Sequence, residues 1–288
     1  MRLREYSLPA GWYPRDSGEV SRFLSDFADR GAARAAISPH AGWYYSGECA
    51  AKAVSSLDPE AETVAVMGGH LPGGMPILLA EEEGVKTPLG TLKIDRELRE
   101  AFSLETSAAQ ISVRPDRYQD NTVEVLLPMV HYFFPLAKLL WLRFPADHSS
   151  FEAGKILARA AGSLGRRIAV LASTDLTHYG QNYGFSPKGR GKPALDWVKN
   201  VNDAAFISAV LEGIHSGDPS QVLARAEEDS SACSAGAVAG AMGFAASLGN
   251  AKARLLDYCT SADLTDDGEV PDSFVGYAAI GIRIGNRE

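Results

Sequence analysis

Short, mostly apolar runs alternate along the chain with longer stretches whose apolar residues recur every three or four positions. "ARAAIS" (33–38) reads as a strand and leads into helical "GECAAKAVSSL"; "TVAVMGG" (63–69) is a second strand. "PILLAEEE" follows, and the Gly/Pro-punctuated "GVKTPLGTLKI" reads as a hairpin or extended arm. "DRELREAFS" starts on an Asp suited to cap a helix, and "NTVEVLLPMVHYFF" is helical up to Pro135, with Pro128 marking a kink or an early first turn. "AKLLWLRFP" (137–145) and "RRIAVLAST" (166–174) are strands on either side of "SSFEAGKILARAAGSLG", a Ser-capped helix ending at glycine. After a Gly-rich loop come the helices "PALDWVKNVNDAAFISAVLEG" and "DPSQVLARAEEDS", then "CSAGAVAGAMGFAASLG", whose small residues require close packing. "KARLLDYCTS" and "SFVGYAAIGIRI" complete the sheet. This alternation predicts an α/β fold: one three-layer domain over residues 1–288, with a central, largely parallel (mixed) sheet flanked by helices.

Composition narrows the class. The chain has 288 residues, 45% hydrophobic and 22% charged, with a formal charge of −8. An acidic balance without long Lys/Arg blocks argues against a nucleic-acid partner. "MRLREYSLPAGWYPRD" has no apolar core of a signal peptide, and no apolar stretch reaches membrane-spanning length, so a soluble cytoplasmic protein is expected. The three cysteines, Cys49, Cys233 and Cys259, form no Cys-x-x-Cys pair, which excludes a zinc knuckle and fits a reducing compartment.

Chemistry concentrates where strands end. His40 follows "AARAAIS" in "SPHAGWYYSG", between a proline that fixes its own φ and a glycine that permits a tight bend. His70 follows "TVAVMGG", and Asp175 and His178 follow "RRIAVLAST" in "STDLTHYGQNYG". Ligands of open α/β sheets bind beyond the carboxyl ends of the strands, so these four residues, which include three of the chain's six histidines, predict a shared site. Cys233 opens a helix after "EEDSSA"; from spacing alone it is either a thiolate favoured by the helix N-terminus or a small buried hydrophobe. Asp147 and His148 also follow a strand and read as a surface loop. Trp43, Tyr44, Tyr45 and Tyr179 are available as an apolar pocket wall.

These motifs resemble the MEMO family, which is similar to the LigB-like catalytic subunit of class III extradiol ring-cleaving dioxygenases. "AGWYPRDSGEVSRFLSDF", "SPHAGWYYSGECAAKAV", "GGHLPGG", "STDLTHYGQNYG" and, more loosely, "SACSAGAVAGAM" carry the resemblance nearly end to end. It implies that His40, His70 and Cys233 bind a divalent metal, with His178 beside it as acid/base and Asp175 nearby. Two imidazoles and one anion on an open face suit non-haem Fe(II); thiolate in place of the glutamate of the ring-cleaving relatives makes copper or zinc competitive. The family's usual Glu-His-Ser is here Asp120, Asn121 and Thr122, and Asn121 cannot titrate as a histidine does.

The implied function is a non-haem metal-dependent oxidoreductase acting on a small substrate, aromatic ones included. The alternatives are a non-catalytic metal- or peptide-binding module of signalling or redox type, and a metal-assisted hydrolase using Asp175 and His178. A serine hydrolase is disfavoured, since the sequence has no Gly-x-Ser-x-Gly.

Overall fold

The computed structural model describes residues 2–27, 31–265 and 269–285. Its strands, in chain order, are β1 (Leu3–Arg4), β2 (Ala35–Ser38), β3 (Thr63–Leu71), β4 (Ile77–Leu79), β5 (Gly84–Thr87), β6 (Gly90–Lys93), β7 (Val113–Pro115), β8 (Lys138–Pro145), β9 (Ile168–Ser173), β10 (His178–Gly180), β11 (Ala251–Thr260) and β12 (Ser273–Ile284). The helices are α1 (Ser17–Leu24), α2 (Trp43–Ser55), α3 (Arg96–Ala108), α4 (Asn121–Glu124), α5 (Leu127–Phe133), α6 (His148–Ser163), α7 (Lys192–Trp197), α8 (Asp203–Ser216), α9 (Ser220–Glu228) and α10 (Ala235–Leu248).

Among the described residues, nine strands form one sheet in the order β10-β12-β2-β9-β3-β8-β4-β7, with β11 also paired to β12. The centre, β2-β9-β3-β8, is parallel; β12 and β4 lie antiparallel on its two sides. This is the largely parallel, mixed sheet expected. Strands β1, β5 and β6 form a separate small sheet, in which β5 and β6 make a hairpin, the first of the two forms expected.

Strands covered on both faces need apolar residues at every position. On β3, Ala65 and Met67 enter one core while Val64 and Val66 enter the other; on β9 the split is Val170 and Ala172 against Ala169 and Leu171. The first core also takes residues from α3, α6, α8 and α10, the second from α1, α2 and α5. The small residues of α10 allow close approach to α6: a Cβ built on Gly154 would stand 1.9 Å from the Gly240 carbonyl oxygen. Among the described residues no helix is long and apolar enough to cross a membrane.

Local chemistry corrects several boundaries. Asp147, not a serine, caps α6, its carboxylate accepting from Ser149 N at 2.8 Å and Gly74 N at 2.6 Å. Asp147 and His148 therefore begin a helix and are not a surface loop. Of the two readings of Pro128, the early first turn is the one found, at the start of α5, because its missing N–H is harmless there. Helix α2 begins at Trp43, earlier than its sequence suggested. The helical run expected from Pro193 onward is interrupted by a π turn at Val198–Asn202.

Candidate metal centre

Strands β2, β9 and β3 are neighbours, so the residues following them share one edge. His40 is 1% exposed. Its backbone N–H donates to Asp175 Oδ1 at 2.7 Å, and its Nδ1 is 2.8 Å from Ser173 Oγ. His70 sits at φ 59°, a left-handed conformation costly for a residue with a Cβ. The preceding Gly69 packs too closely for a side chain: a Cβ there would lie 2.3 Å from Ser234 Cβ. The turned backbone accompanies a register shift in the β3–β8 ladder between Gly68 and Leu71.

Cys233 arrives from the segment between α9 and α10. Its N–H donates to the Asp175 carbonyl at 3.2 Å, and Ser234 N–H donates to Thr174 Oγ1 at 3.1 Å, so the end of β9 holds it in place. Cys233 Sγ lies 3.3 Å from His40 Nε2. The His40 and His70 rings meet edge to face at 5.0 Å, and one donor atom from each of His40, His70 and Cys233 lies within 4.8 Å of the others. Around a tetrahedral ion with Zn-like bonds, N and S donors stand roughly 3.4–3.6 Å apart. The three residues fit such an ion with little movement.

His70 Nδ1 lies 3.2 Å from Asp120 Oδ2, and Arg143 Nη1 lies 2.8 Å from the same oxygen. A carboxylate only accepts, so Nδ1 carries the proton and Nε2 is left for the cluster. Burial would raise the Asp120 pKa, but His70, Thr122 and Arg143 hold it well below the usual carboxylate range. Burial would lower the His70 pKa, but Asp120 and Cys233 push it up to about 10. Burial likewise opposes the raised His40 pKa, which Asp175 and then Cys233 hold up, and the lowered Cys233 pKa, which His40 and His70 hold down. Of the three, Cys233 is the one whose anionic form its neighbours favour.

His178 and Asp175 border the same cavity, of about 770 Å³. His178 Nδ1 is 3.1 Å from the Leu176 carbonyl, which can only accept, so the neutral ring keeps its lone pair on Nε2. Asp175 is buried, which raises its pKa, and it spends Oδ1 on the His40 backbone. Asn121 Nδ2 donates to the His40 carbonyl at 3.1 Å.

The aromatic wall differs from expectation. Trp43 is buried and donates its indole N–H to the Val125 carbonyl, Tyr179 stacks on Phe274 in the interior, and Tyr44 is 72% exposed. Only Tyr45 of the four borders the cavity, together with Trp12, Tyr183 and Tyr277. The sequence signal for Tyr183 was its place in "THYGQNYG"; Trp12 and Tyr277 are brought in only by the fold. A larger groove of about 950 Å³, beside α3 and β7, has no histidine or cysteine in its lining.

Fold and cluster define an α/β protein with a three-donor His/His/Cys constellation at the carboxyl edge of its parallel strands. The chain belongs to the Memo-like protein family, whose profile matches residues 4–281. It is 31% identical to a MEMO1 family protein of Pyrococcus abyssi, over 98% of this chain and 99% of that one. It is 29% identical to one of Pyrococcus furiosus over the same shares, and 31% identical to one of Methanosarcina mazei over 85% of this chain and 84% of that one. Among solved structures, an uncharacterized protein from Escherichia coli K12 aligns with a TM-score of 0.47 at 13% identity, covering 88% of this chain and 100% of that one; the likeness is too slight to bear on function.

Proposed function

We propose that this protein is a metal-dependent oxidoreductase in which His40, His70 and Cys233 hold a divalent ion and His178 serves as acid/base for a small substrate. The observation that carries the reading is the convergence of two imidazoles and a thiolate within 4.8 Å, with Asp120 orienting His70. Fe(II) is the favoured ion, because two neutral ligands and one anion leave positions open; the sulfur donor keeps copper and zinc in contention. Once bound, the ion would supply Lewis acidity and, as iron or copper, electron transfer.

The protein's own groups supply the rest. The Nε2 lone pair of His178 is free to take a proton from a hydroxyl bound in the cavity. Trp12, Tyr45, Tyr183 and Tyr277 favour a flat, small, aromatic substrate. Asp175 positions His40 through its backbone.

A non-catalytic metal-binding module is the second reading, and Asn121 favours it. Its amide is committed to the His40 carbonyl and cannot replace a titrating histidine. Simple catechols should accordingly turn over weakly or not at all. Metal content after anaerobic purification and dialysis against Fe(II), Cu(II) or Zn(II), with oxygen uptake on catechols and other small phenols, tests both readings. Stoichiometric binding with slow oxygen consumption on a phenolic substrate supports the oxidoreductase; binding without consumption on any of them supports the module. No uptake of any of the three ions overturns both.

A further inference from the structure

The two cysteines outside the metal centre lie on α2 and β11, which pack against each other. Cys49, in the middle of α2, is 1% exposed, and Cys259, near the end of β11, is partly exposed. Strand alternation separates the neighbours of Cys259. Tyr258 turns to the α8 side, its hydroxyl donating to Asp203 at 2.8 Å. Asp257 and Cys259 turn to the other face, where Cys259 joins the core that contains Cys49.

An ion pair spans the contact of α2 with β11: Lys52 Nζ lies 2.8 Å from Asp257 Oδ2. Lys52 is one helical turn from Cys49, and Asp257 is two strand positions from Cys259, so docking one pair brings the other together. The two cysteines share one apolar core, with Cys49 the buried partner and Cys259 the one reached from solvent.

We propose that Cys49 and Cys259 are a peroxide-sensitive dithiol, a modification site separate from the His40–His70–Cys233 cluster, which closes to a disulfide joining α2 to β11. Cys259 has the solvent access that Cys49 lacks, and its interaction with the neighbouring thiol lowers its pKa while that of Cys49 is raised, making Cys259 the nucleophile. Its thiolate attacks one oxygen of hydrogen peroxide; the S–O bond forms, the O–O bond breaks and the leaving hydroxide takes a proton to become water. The Cys49 sulfur then attacks the Cys259 sulfenic acid; the S–S bond forms, the S–O bond breaks and a second water leaves with the Cys49 proton. Two thiols lose two electrons and one peroxide gains them. The bond would tie the helix that begins just after His40 to the strand leading into Ser261, which borders the cavity.

Tryptic mapping separates the outcomes, because the three cysteines fall in different peptides: 35–52, 226–252 and 255–283. Full-length protein treated with hydrogen peroxide, then denatured, alkylated and digested without reduction, should yield 35–52 joined to 255–283, and dithiothreitol should release them. In Cys49→Ser, Cys259 should stop at a sulfenic acid that dimedone traps; in Cys259→Ser, Cys49 should stay reduced. If Cys49 and Cys259 of the wild type remain fully alkylatable at peroxide levels that oxidise Cys233, or if Cys233 is the cysteine found linked to either, the proposal is overturned.

Discussion

Asp120 decides which nitrogen of His70 faces Cys233. Without its carboxylate either ring nitrogen can hold the proton, and Arg143 loses the partner 2.8 Å away. Losing such a supporting carboxylate typically weakens metal binding about 10–100-fold. Asp120→Asn should therefore raise the metal dissociation constant by about that factor, read by competition with a chromophoric chelator; an unchanged constant would remove Asp120 from the site. The histidines should also separate by role. His40→Ala should abolish stoichiometric metal uptake in elemental analysis, whereas His178→Ala should retain the metal and lose any oxygen consumption; equal metal loss in both would make His178 a ligand. His40, His70, Asp175 and His178 were legible in the sequence because each closely follows a strand-like run. The part played by Asp120 was not, since it acts across 50 residues of sequence through a contact that only folding makes.

Packing between α6 and α10 is governed by glycines that look interchangeable in the sequence. A Cβ on Gly154 would strike the Gly240 carbonyl, whereas one on Gly162, in the same helix, meets nothing within 4 Å. Gly154→Ala should cost about 1–3 kcal/mol, as overpacked cores do. Gly162→Ala should add roughly 0.5–1 kcal/mol by favouring the helix. Urea unfolding midpoints should thus move in opposite directions; movement of both the same way would refute the packing argument. The π turn before α8 places Asp203 under the Thr177–His178 segment, where it accepts from Thr177 N and Oγ1 and from Tyr258 OH. Burial pushes its pKa up to about 6. The folded protein therefore holds this proton more tightly than the unfolded chain, and stability falls as pH rises from about 4 to about 6, then levels. That difference from the ordinary carboxylate value corresponds to about 3 kcal/mol, and Asp203→Asn should remove that part of the pH dependence of thermal unfolding. Persistence of the full slope in the variant would assign it to other carboxylates.

At the scale of the whole molecule, the site depends on chain segments that are distant in sequence. Glu124 accepts from Ser7 N at 2.9 Å, Leu8 N at 3.0 Å and Tyr13 OH at 2.9 Å. That knot fixes the N-terminal segment so that Trp12 borders the cavity beside His40. An ion held by three such separated segments would bind the folded state in preference to the unfolded one. At a free concentration 100 times its dissociation constant it should add about 2.7 kcal/mol to stability. The melting temperature should rise with added metal in the wild type and stay level in His70→Ala; an equal rise in both would place binding elsewhere.

The alternation of strand-like and helix-like runs by itself determined the α/β class, the parallel centre and the strand ends on which His40, His70, Asp175 and His178 fall, because side-chain periodicity and turn residues are local properties. Family resemblance, not spacing, drew Cys233 into the set, since a cysteine at a helix start carries no unique local signal. Tertiary structure alone decided that Trp43 and Tyr179 pack inside while Trp12 and Tyr277 border the cavity. It alone turned His70 into a left-handed conformation and set Asp120 behind it, and it made Asp147 a helix cap where the chain read as loop. Each of these depends on which segments meet in space, and a contact between distant segments leaves no periodicity in either one.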